Sequence, residues 1–270
     1  MAAITILTVL AAACSRGSEP RPELAPERGR SDRPDAGKGD PPSSRPDDGP
    51  SRIFARPRDQ VSGKIRYRLS SLDVEPGREV LLYVSPDLQP DRPAPLIVTL
   101  HGAGGDAMGA LGAVRKQMHG DPVILVSPKS AGRTWDVIEG GFGPDVELID
   151  GALEIVFDRY AVDTSRVAIE GFSDGASYAL SLGLNNGDLF THVMAFSPGF
   201  AAPEARAGEP KLFIAHGTDD QVLPIDATSR NIVPALRSAG LEVRYEEFSG
   251  GHTRRPNLVD EAMDWFLSDA

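Results

Sequence analysis

A serine between two glycines is the pattern in this sequence that most clearly indicates chemistry. Residues 171–175 read Gly-Phe-Ser-Asp-Gly, which places Ser173 in a G-x-S-x-G motif. A strand pattern at 166–170 precedes the motif and a helical pattern follows it, so we expect a sharp turn that exposes the hydroxyl. With a neighbouring general base, such a serine can attack an acyl carbon. The motif predicts acyl transfer; the alternative is a simple glycine turn with an exposed serine.

A second glycine-rich loop follows a predicted buried strand. Residues 101–105 read His-Gly-Ala-Gly-Gly, a composition that lets backbone N–H groups turn toward a bound oxygen. In hydrolases with a serine turn, one such loop and the residue after the serine supply the oxyanion hole. We therefore predict that the amides of Ala103 and Asp174 form it. Residues 102–107 also fit the dinucleotide fingerprint G-x-G-x-x-A, but that loop normally follows the first strand of its domain, and here a hairpin precedes it.

The order of residues along the chain identifies candidates for the general base and for the acid that orients it. Hydrolases with this serine turn place the acid after the serine and the histidine after the acid. Asp219 and Asp220 are adjacent candidate acids near a predicted strand end, and either could instead cap a helix or a turn. His252, in a glycine loop before the last helical segment, follows both. Four other histidines precede the serine or the acids and are excluded: His101, His119, His192 and His216.

These residues must be positioned by an α/β domain. Strand and helix patterns alternate along residues 61–270, which favours a mainly parallel sheet with helices on both faces. An antiparallel hairpin opens the domain, at 65–69 and 80–84. Further strands are predicted at 96–100, 123–126, 166–170, 192–196, 212–215 and 241–248. Helices are predicted at 107–118, 146–160, 174–186, 226–239 and 257–268.

The composition excludes several classes of protein. The chain has 270 residues, 40% of them hydrophobic, with a single cysteine and a net charge of -11. One cysteine excludes an intramolecular disulfide framework and a multi-thiolate zinc site. The acidic balance argues against nucleic acid as a partner, because nucleic-acid binders concentrate basic side chains. No zincin, EF-hand or phosphate-loop motif occurs, so we expect no metal or organic cofactor.

The segment before the domain has two parts. Residues 2–13 are small and apolar and end at Cys14, which is typical of an export signal. The run at 10–14 resembles a bacterial lipobox, and this resemblance implies lipidation of Cys14, an envelope lipoprotein (or otherwise a secreted protein) and membrane contact only through that anchor. Residues 15–60 hold nine prolines, ten basic and nine acidic residues. Such a composition predicts a disordered tether, because it offers little apolar surface to bury.

The domain resembles the α/β-hydrolase superfamily, in particular bacterial serine esterases of the phospholipase/carboxylesterase and polyhydroxybutyrate-depolymerase-like groups. The resemblance covers about residues 79–268 and is carried by 82–84, 93–102, 132–136 and 171–175. It implies an α/β-hydrolase fold and a Ser-His-Asp triad. In these relatives the acid is the fifth residue of an H-G-x-x-D pattern, which selects Asp220 over Asp219. Asp174 departs from many relatives, which carry Gln, Met or Asn after the nucleophile.

The implied substrate is a carboxylic ester, either a small molecule or the end of a polymer. About a dozen residues lie between Ser197, near the end of one predicted strand, and Lys211, at the start of the next, so there is no room for a large lid. Trp135, Phe142 and Phe200 are candidates for lining the open site, although aromatic residues at such positions are more often packing residues. Two alternatives to an esterase stay open: a peptidase or amidase on the same fold, and a catalytically silent binding protein of the cell envelope.

Overall fold

The computed structural model describes residues 49–62, 64–90, 92–118 and 120–268. These residues form an eight-stranded sheet flanked by helices. The strands in chain order are β1 (Arg68–Ser71), β2 (Val80–Val84), β3 (Ala94–Leu100), β4 (Ile124–Pro128), β5 (Val162–Phe172), β6 (His192–Phe196), β7 (Lys211–Gly217) and β8 (Val243–Phe248). The helices are α1 (Ala107–Arg115), α2 (Asp136–Glu139), α3 (Pro144–Arg159), α4 (Asp174–Asn185), α5 (Ser229–Ser238) and α6 (Pro256–Ser268).

The order of the strands confirms the predicted mainly parallel sheet. The order is β1-β2-β4-β3-β5-β6-β7-β8, and only the β1–β2 and β2–β4 pairs are antiparallel. All the other pairs are parallel, so the loops after β3, β5, β7 and β8 meet at one edge. Residues 197–210, between β6 and β7, contain neither a helix nor a named strand, as expected for a fold without a large lid.

Most predicted elements begin and end within four residues of their predicted bounds, and the differences at β1, α2 and α5 have clear causes. β1 begins at Arg68 rather than at residue 65, because its register pairs Arg68 with Val84. The short helix α2 was not predicted, since four residues are too few to show a helical period. Where one helix was expected at 226–239, a 3-10 turn (Ile225–Ala227) precedes α5.

The core occupies both faces of the sheet. Helices α1 and α6 cover one face, with Leu111 and Phe266 among the buried side chains. Helices α3, α4 and α5 cover the other face. All seven residues of β3 are buried, as their continuous apolar sequence predicts for a strand covered on both sides. Within the described part of the chain, no helix is both long enough and apolar enough to cross a bilayer.

The packed chain begins earlier than predicted. Residues 49–60 were expected to belong to the disordered tether, but Ile53 is fully buried. Its N–H donates to Asn186 Oδ1 at 2.8 Å, and the N–H groups of Phe54 and Ala55 donate to Asp150 Oδ1. One buried side chain and hydrogen bonds to two side chains of the domain hold this segment in place. The average composition of the segment does not indicate these contacts. The predicted signal, Cys14 and the tether up to residue 48 lie outside the described residues.

Candidate active site

Ser173 occupies the sharp turn between β5 and α4, as the motif predicted. Its backbone has φ 58° and ψ -120°, a strained conformation for a residue with a side chain. The turn needs a glycine at position 175, because a Cβ there would lie 2.6 Å from the carbonyl oxygens of Leu100 and His101. The close approach of the turn to β3 therefore positions the serine hydroxyl at the carboxyl edge of the sheet.

The structure brings the three residues of the predicted triad together. His252, on the loop between β8 and α6, has its Nε2 2.8 Å from Ser173 Oγ. Its Nδ1 lies 2.6 Å from Asp220 Oδ2. The other carboxylate oxygen of Asp220 accepts the N–H groups of Val222 (2.9 Å) and Leu223 (2.8 Å). In this arrangement Nδ1–H donates to the carboxylate and the serine hydroxyl donates to Nε2, the geometry of a nucleophile and its general base.

Asp220, rather than its neighbour, faces the histidine. The side chain of Asp220 is buried, whereas Asp219 is exposed. Burial alone would raise the pKa of Asp220, but the hydrogen bonds from the Leu223 N–H and from His252 outweigh it and hold this pKa below its ordinary value. The acid is therefore kept ionised next to the imidazole.

A second histidine, His216, contacts the carboxylate of Asp220. His216, fully buried at the end of β7, has its Nε2 2.9 Å from Leu223 O and 3.2 Å from Asp220 Oδ2. Because a carbonyl only accepts, Nε2 carries the proton, and Nδ1 accepts from the hydroxyl of Ser229 at 2.7 Å. Burial lowers the pKa of His216, which keeps the ring neutral. The chain order excluded His216 as the base, and its contacts make it a support of the acid.

The predicted oxyanion loop lies against the nucleophile. A Cβ on Gly102 would lie 3.3 Å from Ser173 Cβ. His101 stabilises the loop: its Nδ1–H donates to Gly102 O at 2.8 Å, and its Nε2 accepts the N–H of Ser130 at 3.1 Å. Among the described residues, the N–H groups of Ala103 and Asp174 donate to no protein acceptor. Both predicted donors are therefore available to an anion.

Two of the three predicted substrate-lining residues belong to the core, and this corrects the prediction. Trp135 is fully buried and Phe142 is 8% exposed. Both rings pack on Tyr178, at centroid distances of 5.0 Å and 5.8 Å. A side chain without accessible surface cannot contact a substrate, so Trp135 is a packing residue. Phe200 is half-buried on the connection after β6, and its role stays a prediction.

Sequence reasoning missed two polar contacts next to the site. Thr134 donates its hydroxyl to Asp174 Oδ2 at 2.6 Å. Glu170, fully buried in β5, pairs with Arg254, which follows His252 by two residues. The signal for Glu170 was present, because this carboxylate directly follows the apolar residues 167–169 of a predicted strand.

The sequence is similar to those of known esterases. Residues 145–268 match the family described as phospholipase/carboxylesterase. The chain is 28% identical over 159 residues to feruloyl esterase C of Emericella nidulans, a stretch that covers 56% of this chain and 57% of that enzyme. The chain thus spans little more than half the length of this curated relative.

The fold is similar to those of solved esterases. A thermostable esterase superposes with a TM-score of 0.59 at 24% identity, covering 75% of this chain and 62% of the other. A CE1 ferulic acid esterase from Anaeromyces mucronatus, solved in complex with ferulic acid, gives a TM-score of 0.54 at 16% identity and covers 78% of this chain and 95% of the other. The chain has the α/β-hydrolase fold.

Proposed function

Because the chain has the α/β-hydrolase fold and its residues 145–268 match the phospholipase/carboxylesterase family, we propose that it is a serine hydrolase of carboxylic esters. The observation that carries the proposal is the continuous hydrogen-bonded chain from Ser173 through His252 to Asp220. It lies beside two N–H groups, of Ala103 and Asp174, that are free to bind an oxyanion.

The proposed reaction passes through an acyl-enzyme. Ser173 Oγ attacks the ester carbonyl while His252 Nε2 takes its proton, and the imidazolium then protonates the departing alcohol oxygen. Asp220 holds the imidazole tautomer and stabilises its charged form. The N–H groups of Ala103 and Asp174 stabilise the oxyanion of each tetrahedral intermediate. Water, deprotonated by His252, then releases the carboxylic acid and restores the serine.

The proposed substrates are small or terminal esters that reach an open site. Residues 197–210 contain no helix, and Ser173, whose exposed fraction is 8%, lies at the carboxyl edge of the sheet. The names of the relatives point to esters of hydroxycinnamic acids such as ferulic acid as substrates to test beside short acyl esters. Export and attachment through Cys14 stay predictions from the sequence.

Turnover by the full chain and by a Ser173→Ala variant tests the proposal. We expect wild-type protein to hydrolyse p-nitrophenyl acetate and methyl ferulate, and Ser173→Ala to lower kcat by at least about 10⁴-fold, since removal of a triad nucleophile has effects of this size. Ser71→Ala, at an exposed serine of β1, is the matched control and should keep wild-type turnover. Folded wild-type protein that cleaves only p-nitroanilides would be an amidase, and one that cleaves neither would be a silent binding protein.

A further inference from the structure

One segment joins both halves of the proposed oxyanion hole. Residues 133–135 follow β4 and precede α2, and each makes one hydrogen bond to the loop after β3 or to the turn after β5. The three bonds run from Gly104 N–H to Arg133 O (2.7 Å), from Thr134 Oγ1–H to Asp174 Oδ2 (2.6 Å) and from Trp135 Nε1–H to His101 O (2.9 Å). The first and third bonds hold Gly104 and His101, on either side of Ala103. The second is made to Asp174, whose N–H is the other proposed donor.

The segment is itself firmly held. Trp135 is fully buried and stacks on Tyr178. On either side of the segment, the N–H groups of Ala131 and Asp136 donate to the buried carboxylate of Asp145, at 2.7 Å and 3.0 Å. The backbone of Thr134 is therefore fixed between anchored neighbours, and its hydroxyl has a defined position.

The hydrogen bond from Thr134 is made to a carboxylate that belongs to one of the proposed oxyanion-hole residues. Asp174 offers its N–H to a developing oxyanion, yet its own carboxylate is negative and would repel that oxyanion if it turned toward it. In the structure the carboxylate accepts the hydroxyl of Thr134 instead. Asp174 also begins helix α4, where the helix dipole favours a negative side chain.

We propose that Thr134 is a positioning residue, which holds the Asp174 carboxylate away from the oxyanion, within a segment (residues 133–135) that fixes both donors. This inference rests on the proposed esterase function. Its effect is on the transition state, because negative charge develops on the carbonyl oxygen there and is absent from the bound ester. Loss of the Thr134 hydroxyl should therefore lower kcat and leave KM nearly unchanged.

Four variants of the full chain test the inference with p-nitrophenyl acetate: Thr134→Val, Thr134→Ser, Asp174→Asn and the double variant Thr134→Val/Asp174→Asn. Thr134→Val keeps the shape of the side chain and removes the donor. We expect its kcat to fall about 10-fold, less than the roughly 100-fold that follows loss of an oxyanion donor itself. Thr134→Ser retains the hydroxyl and should stay near wild type. Thr164→Val, at an exposed threonine of β5, is the matched control and should also keep wild-type kcat.

The double variant separates charge from packing. With Asn at position 174 there is no carboxylate to hold away, so Thr134→Val/Asp174→Asn should have the same kcat as Asp174→Asn alone. An equal loss on both backgrounds, or a wild-type kcat in folded Thr134→Val, would overturn the inference while leaving the esterase function standing. If folded wild-type protein hydrolyses no ester, the proposed function is wrong and this inference falls with it.

Discussion

A buried ion pair connects the loop of His252 to the strand of Ser173. Glu170 is fully buried in β5, and its Oε2 lies 3.3 Å from a terminal guanidinium nitrogen of Arg254, whose side chain is 9% exposed. Glu170 Oε1 accepts the hydroxyl of Thr99. The guanidinium lies over the rings of Phe172 and Phe196, at 5.8 Å and 5.4 Å. Both charges are therefore held out of water, and each depends on the other.

Arg254→Met should destabilise the fold, and more so at higher pH. Removing one partner of a buried pair costs about 3–5 kcal/mol, because the other charge is left without compensation. Burial already raises the pKa of Glu170, against the lowering effects of Arg254 and Thr99. Without Arg254 this pKa rises further.

The direction of the pH dependence follows from the raised pKa. A carboxyl whose pKa is higher in the folded than in the unfolded state binds more protons when folded, so stability is lost as pH rises from the unfolded pKa through the folded one. The loss is about 1.36 kcal/mol per pH unit at most, or up to about 2.7 kcal/mol between pH 5 and pH 7. The destabilisation caused by Arg254→Met should therefore be larger at pH 7 than at pH 5.

Guanidinium-induced unfolding of the full chain at pH 5 and pH 7 measures this effect. Wild type, Arg254→Met, Glu170→Gln and the double variant Glu170→Gln/Arg254→Met complete a cycle, and Arg92→Met, at an exposed arginine, is the control. We expect the double variant to be more stable than Arg254→Met at pH 7 and to lose the extra pH dependence, since it buries no charge. Arg254→Met with the same loss at both pH values, or a double variant no more stable than Arg254→Met, would refute the reasoning.

Two further predictions concern the acid and the first packed residues. Asp220→Asn should lower the kcat for p-nitrophenyl acetate by about 10⁴-fold, because the amide favours the wrong imidazole tautomer, while Asp219→Asn, at an exposed side chain, should keep kcat within about twofold of wild type. A greater loss at Asp219 would reverse the assignment. Ile53→Ala should lower the free energy of unfolding by about 2–5 kcal/mol, whereas the adjacent Phe54→Ala, at a side chain 54% exposed, should change it by less than about 0.5 kcal/mol. If both variants change the free energy of unfolding by equally small amounts, residues 49–60 are not part of the cooperatively folded domain.

The sequence by itself determined the fold class and the residues of the proposed triad. Buried parallel strands are short continuous apolar runs, and the helices between them show their own period, so the alternation was readable from local patterns. Ser173 and its glycines were readable too, because a sharp turn without room for a Cβ restricts the residue types at fixed spacing. Chain order then selected His252, and the resemblance to known esterases selected Asp220.

Only the tertiary structure decided which side chains meet across the sheet. Thr134 and Asp174 lie 40 positions apart, and neither residue type indicates the other as its partner. Trp135 was one of three candidates for lining the site and is fully buried, because the burial of a residue depends on the segments that pack against it as well as on its own type. Ile53 packs on the domain although the composition around it is that of a disordered tether. Contacts between residues far apart in the sequence leave no periodic pattern or fixed spacing in it. They form only when the folded sheet brings the distant segments together.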